Sequence, residues 1–228
     1  MNRKMKLLAL GVALIIIFLA ITPAIWQTFG TKSSQSSQIR VACVGDSITG
    51  GTLYTIDLWR LLGPNYVVGN FGINGATVSF DSDSSYSNQS ALQVAKQFEP
   101  NVVIIMLGTN DANIDLNQSN TGFIDDYIRL VGEFQGLESK PKIWLVKPPP
   151  IFNSTTGLSA EYLTQNIIPN IEQVAQKTKT TTIDVYSALV NHPDYFIDGV
   201  HPNVDGSKTI ASTIYSAIVL QNNATSTP

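Results

Sequence analysis

Acyl transfer needs a nucleophile, a base to take its proton, an acid to orient that base, and donors for a developing oxyanion. The stretch ACVGDSITGG, Ala42 to Gly51, ends an apolar run at Gly45 and then presents Asp46 and Ser47. Ser47 has two readings: a nucleophile held at the end of a strand, or an N-cap whose hydroxyl accepts a backbone N–H at a helix start. The chain has 2 histidines, His192 and His201. Asp198-Gly-Val-His201 places a carboxylate three positions before an imidazole. A turn at Gly199 lets that carboxylate reach Nδ1–H, and Pro202 fixes the backbone that follows. The same residues also read as a plain turn before a helix. His192, in NHPDYF, has Asp194 only two positions away and reads as surface loop. Oxyanion donors have two sources. In NFGINGAT, Gly72 and Gly75 allow close backbone approach and positive φ. In GTND, Gly108 to Asp111, the Asn110 amide follows an apolar run. Ordinary turn chemistry accounts for either loop taken alone.

The other reactive residue types fit structural roles. Cys43 is the only cysteine, so an intramolecular disulfide framework and a cysteine zinc site are excluded. It lies inside an apolar strand and reads as a small hydrophobe. Asp46 and Asp111 are expected to fix turns by accepting backbone N–H groups. Asp198, His201 and Asp205 fit a dyad plus a turn better than a ligand set, and neither a metal nor a cofactor is implied.

The elements that position these residues follow from the hydrophobic pattern. Strands are expected at Ile39–Val44, Tyr66–Val68, Val102–Leu107, Ile143–Val146 and Thr181–Val185. VVIIML is a nearly continuous apolar run, as in a parallel strand covered on both faces. Helices are expected at Tyr54–Leu62, Ala91–Phe98, Phe123–Gln135, Ala160–Lys177 and Val204–Leu220, with Pro169 kinking or restarting the fourth. The β-α alternation predicts an α/β three-layer fold with a parallel sheet. In such sheets, sites form outside the carboxyl ends of the strands, which is where GDS, the Gly75 loop and GTND fall. DGVHP stands before the last helix.

These four blocks, in this order, resemble those of the SGNH, or GDSL-type, esterases and lipases. ITGG after Ser47 is close to the family's ITxG. The resemblance implies a flavodoxin-like α/β/α fold with five parallel strands. It implies Ser47 as nucleophile, His201 as base and Asp198 as the group that orients it. It also implies an oxyanion hole from the Ser47 N–H, the Gly75 N–H and the Asn110 side chain, with Gly75 preferred to Gly72. No cofactor is implied. MLGTND, KIWLVKPPPIF and DGVHPNVDG look most like family members acting as carbohydrate O-acetylesterases. Small acyl esters, acetyl esters of carbohydrates above all, are therefore the expected substrates. A lysophospholipase or thioesterase is the alternative, and a non-catalytic glycan-binding module a third reading. The long polar segment 76–90 is expected to border the pocket.

The ends carry no chemistry. Arg3, Lys4 and Lys6 precede an uncharged apolar run from Leu7 to Trp26, long enough for the roughly 20 residues that span a bilayer. Residues 1–29 are expected to be a transmembrane anchor, with a cleaved signal as the alternative. Positive charge before the span puts the domain outside the cytoplasm. Residues 30–38 read as a flexible linker, 39–221 as the hydrolase domain and 222–228 as a disordered tail. From Ile39 on, 10 basic residues face 17 acidic ones, a formal charge of −7. With no basic stripe, nucleic acid is excluded as a partner.

Overall fold

In the computed structural model, the described residues are 38–113, 122–153 and 157–224. The segment 1–29, expected to be an anchor or signal, lies outside them. Among the described residues, no helix is long and apolar enough to cross a membrane.

Five strands form one parallel sheet: β1 (Ile39–Gly45), β2 (Tyr66–Gly72), β3 (Val102–Met106), β4 (Lys142–Lys147) and β5 (Thr181–Asp184). Their order is β2-β1-β3-β4-β5, the flavodoxin-like arrangement. Crossing helices are α1 (Ser47–Gly51), α2 (Tyr54–Leu62), α3 (Ser90–Gln97), α4 (Phe123–Gln135), α5 (Ile168–Thr178), α6 (Val185–Leu189) and α7 (Val204–Ala224).

Alternation along the central strands splits the core into two layers. Ala42, Val44, Val103, Ile105, Ile143 and Leu145 point to the face covered by α3, α4 and α5. Val41, Cys43, Ile104, Met106, Trp144 and Val146 point to the face covered by α2, α6 and α7. Each central strand is buried on both sides, which explains why β3 reads as unbroken hydrophobic sequence.

The structure departs from expectation where local polar groups outrank the apolar pattern. β2 continues through Asn70 to Gly72 rather than ending at Val68, because each of its residues pairs in register with β1. β5 stops at Asp184, whose carboxylate accepts the Ser187 N–H at 2.8 Å and caps α6. The helix expected over Ala160–Lys177, with a kink or restart at Pro169, forms as a single turn, Ala160–Tyr162, a π-helical turn, Leu163–Ile167, and then α5. Pro169 has no N–H to give the preceding turn, and it sits at the start of α5, where none is needed. α7 continues to Ala224, beyond the expected boundary at 221. Residues 225–228 lie outside the described ones.

Candidate active site

The sheet order reverses between β1 and β3, and open parallel sheets place their sites at that switch point. Ser47 follows β1 and Asn110 follows β3, so the two strands that flank the reversal carry both residues to the same edge.

The competition for the helix cap is won by Asp46. Its Oδ1 accepts the Ile48 N–H at 2.9 Å, which leaves Ser47 as the first residue of α1 with its hydroxyl uncommitted to capping. Close packing seats this turn: a Cβ at Gly72 would strike the backbone of Gly50, so both glycines are needed for contact between α1 and β2. Gly45 is likewise pressed against the Thr49 side chain and the Met106 carbonyl.

The DGVHP segment forms an Asx turn. Asp198 Oδ1 accepts the backbone N–H groups of Val200 at 3.0 Å and His201 at 2.8 Å. Asp198 Oδ2 accepts from His201 Nδ1 at 2.7 Å. A carboxylate only accepts, so this bond puts the ring proton on Nδ1 and leaves Nε2 as an acceptor. Ser47 Oγ lies 2.9 Å from Nε2 and donates to it. Burial alone would raise the Asp198 pKa, but the His201 backbone and ring N–H groups and the Val200 N–H outweigh it and hold it down to about 2. Gly199, at φ +81°, makes the turn possible, since a Cβ there would overlap the Phe152 carbonyl oxygen.

Three residues that line the same cleft carry N–H groups with capacity to spare. The Ser47 N–H, at the first position of α1, has no intrahelical partner. Gly75 sits at φ +74°, and its N–H donates to nothing among the described residues. Asn110 Nδ2 gives one hydrogen to the Ala76 carbonyl at 3.0 Å, which fixes the amide and leaves its second hydrogen over. Ser47, Gly75, Asn110 and His201 all line one cleft of about 620 Å³. Gly72 does not line it; its role is the contact with Gly50.

The two other acids behave as expected of turn-fixing groups. Asp111 accepts from the N–H groups of Val78 and Ser79. Burial pushes its carboxyl up to about 6, against those hydrogen bonds. Burial likewise pushes Asp46 up to about 7, opposed by the Ile48 N–H and the Thr109 hydroxyl and reinforced by the charge of Asp111. Cys43 is fully buried and its thiol is pushed up to about 12 by burial, which excludes a thiolate nucleophile. His192 stacks on Tyr195 at 4.5 Å earlier in the connection that carries Asp198 and His201, and it does not line the cleft. Among the described residues, no group of three or more His, Cys, Asp or Glu side chains could hold a metal ion.

Sequence reasoning passed over Asp126. It accepts the Phe80 N–H at 2.8 Å and anchors the loop that walls the cleft. An acidic residue in the first turn of α4 looks like ordinary dipole compensation, so its second task carried no sequence signal.

The flavodoxin-like sheet thus carries Ser47 to the edge where its strand order reverses, hydrogen-bonded in line with His201 and Asp198. The chain matches the GDSL-like lipase/acylhydrolase family model over residues 43–209 and belongs to that family of carboxylic ester hydrolases. It is 32% identical over 206 residues to the acetylxylan esterase of Xylanibacter ruminicola, a match covering 79% of this chain and 43% of that protein. The chain thus spans less than half the length of that relative. A carbohydrate acetylesterase family member from Sinorhizobium meliloti superposes with a TM-score of 0.65 at 20% identity, covering 80% of this chain and 98% of the other. The native aryl esterase of M. smegmatis gives 0.64 at 19%, covering 80% and 99%. The lipase/acylhydrolase of Enterococcus faecalis gives 0.65 at 23%, covering 81% and 97%. At these identities the structural likeness establishes the fold alone.

Proposed function

We propose that the chain hydrolyses small acyl esters, acetyl esters of carbohydrates in particular, with Ser47 as nucleophile, His201 as general base and acid, and Asp198 as the group that orients His201. The observation that carries this reading is the hydrogen-bonded line from Asp198 through His201 to Ser47, beside three N–H donors in one cleft.

The chemistry follows from the geometry. His201 Nε2 takes the Ser47 proton as Oγ bonds to the ester carbonyl carbon. The carbonyl π pair moves to oxygen, and the N–H groups of Ser47 and Gly75 with the Asn110 amide receive that charge. The pair returns, the C–O bond to the alcohol breaks, and His201 gives the alcohol its proton. Water then repeats the sequence on the acyl-serine, with His201 again as base, and releases the acid. Asp198, ionised down to about pH 2, faces the imidazolium formed in each half.

A small acyl group suits the cleft. Thr77, Ser82, Ser84 and Asn74 contribute polar lining, and Leu158 and Val200 supply its only aliphatic side chains among the described residues. A long acyl chain would need a longer apolar surface than these two provide, which disfavours the lysophospholipase and thioesterase alternative. The acetylxylan esterase name of the Xylanibacter ruminicola relative supports acetylated carbohydrate as the substrate class. We further propose that the domain works outside the cytoplasm, tethered through residues 1–29. The support is the basic flank at Arg3, Lys4 and Lys6 and the apolar run from Leu7 to Trp26.

The test is acetate release from p-nitrophenyl acetate and from acetylated xylo-oligosaccharide by the purified chain and by Ser47→Ala. Release from both that is lost in the variant supports the proposal. Release unchanged in the variant rejects Ser47 as nucleophile, and release from neither substrate rejects the acetylesterase reading.

A further inference from the structure

The long polar segment after Gly75 forms a closed loop with a fixed shape. The Thr77 N–H donates to Ser84 O at 3.1 Å and the Tyr86 N–H to Thr77 O at 2.9 Å, closing it at the base. Two carboxylates clamp its outgoing arm: Asp111 holds the N–H groups of Val78 and Ser79, and Asp126 holds that of Phe80. The Tyr86 hydroxyl donates to Phe71 O at 2.7 Å and pins the return. At the tip, the Ser85 N–H bonds to Ser82 O at 3.0 Å and the Ser84 N–H to Ser82 Oγ at 3.2 Å. Asp83 is held inside that tip.

Asp83 is solvent-exposed and lines the cleft that contains Ser47. Among the described residues it has no ion-pair or hydrogen-bond partner, and no lysine or arginine lines the cleft. Among the described residues that line the cleft, Asp83 and His201 are the only ionisable side chains. The loop thus spends hydrogen bonds from its own backbone and from two carboxylates to hold an unpaired carboxylate, between two serines, in the cleft.

We propose that Asp83 selects the alcohol portion of the substrate: it accepts hydrogen bonds from the hydroxyls of a neutral sugar and rejects esters whose alcohol portion carries a carboxylate or phosphate. This inference rests on the hydrolase reading above and names the substrate class within it. A carboxylate has acceptor sites on two oxygens and can take two neighbouring hydroxyls, with bonds roughly twice as strong as neutral ones. A second anion in the same cleft meets like charge with no lysine or arginine among the described lining residues to offset it, in a domain of formal charge −7. Ser82 and Ser84 add hydroxyls that serve either as donor or acceptor.

The experiment compares kcat/KM of the full-length chain for O-acetylated methyl β-xyloside and O-acetylated methyl β-glucuronoside, which present similar rings without and with a carboxylate. Wild type is expected to favour the neutral ester, and 0.5 M salt to narrow that preference through screening. Asp83→Asn, which removes the charge at constant size, should shift the neutral-to-anionic ratio about fivefold or more toward the glucuronoside, chiefly through its KM. Asp83→Ala should lower kcat/KM on the xyloside about tenfold, the size of one hydrogen bond to a charged group. An Asp83→Asn ratio equal to that of wild type overturns the inference. Cleavage of p-nitrophenyl acetate, dependent on Ser47, with neither glycoside cleaved overturns it too and leaves the hydrolase reading standing. Full activity in Ser47→Ala removes the hydrolase reading and this inference with it.

Discussion

At the scale of single residues, the site depends on which oxygen does which task. Asp46 caps α1 with Oδ1, so the neighbouring serine hydroxyl is free to donate to His201. Asp198 divides its oxygens in the same way, one for the backbone of its own turn and one for the imidazole. In Asp198→Asn the amide oxygen is needed by the backbone N–H groups of Val200 and His201, so the NH2 faces Nδ1 and stabilises the wrong tautomer. We expect kcat to fall about 100-fold or more, with KM little changed. If Asn110 is an oxyanion donor as proposed, Asn110→Ala should lower kcat about 10²–10³-fold; equal kcat in wild type and variant would remove Asn110 from the hole. The Asp46 carboxyl, raised to about 7 in the fold, binds protons that an unfolded aspartate has released above about pH 4. The folded state therefore holds more protons in that window, and this group's contribution to stability falls as pH rises from about 4 to about 7. Asp46→Asn keeps the acceptor for Ile48 and removes the titration. Its melting temperature should gain on that of wild type across the window, and parallel curves would contradict the assignment. Asp198 has the opposite sign: its depressed pKa contributes stability above about pH 4 that is lost as pH falls through about 2.

At the scale of elements, two glycines make turns that side chains cannot, and the structure separates their costs. Gly199 has positive φ and also packs where a Cβ would meet the Phe152 carbonyl, while Gly75 has positive φ beside open space. Gly75→Ala should cost about 1 kcal/mol of stability, and its main effect should be on kcat as its N–H shifts. Gly199→Ala should cost about 2 kcal/mol or more and disturb Asp198 and His201 together. Denaturant midpoints for the two variants check the order. Most elements were legible in the sequence because burial dictates them: Val102–Met106 is apolar throughout and buried throughout. The errors fall where one polar group decides a boundary. Asp184 ends a strand by capping α6, and Ile183 and Val185 beside it gave no hint of that. The π-helical turn before Pro169 arises from backbone accommodation, which side-chain periodicity does not record.

At the scale of the molecule, the sheet order carries residues far apart in the chain to one edge. Ser47 and His201 are separated by 154 positions yet hydrogen-bonded. Their meeting was legible because each block stood where a parallel sheet would put it, after a strand or before the last helix. What could not be read was the long-range stapling of the 77–86 loop by Asp111 and Asp126, since nothing in the local sequence pairs an acid with an amide 33 or 46 positions away. The central claim is that Ser47 carries the acyl group between the two halves of the reaction. The most direct measurement is mass spectrometry of the chain, quenched in acid within milliseconds of mixing with p-nitrophenyl acetate and then digested. The account predicts one acetyl group on the peptide containing Ser47, absent in Ser47→Ala. Rapid acetate release with that peptide unmodified, and undiminished in Ser47→Ala, would contradict it.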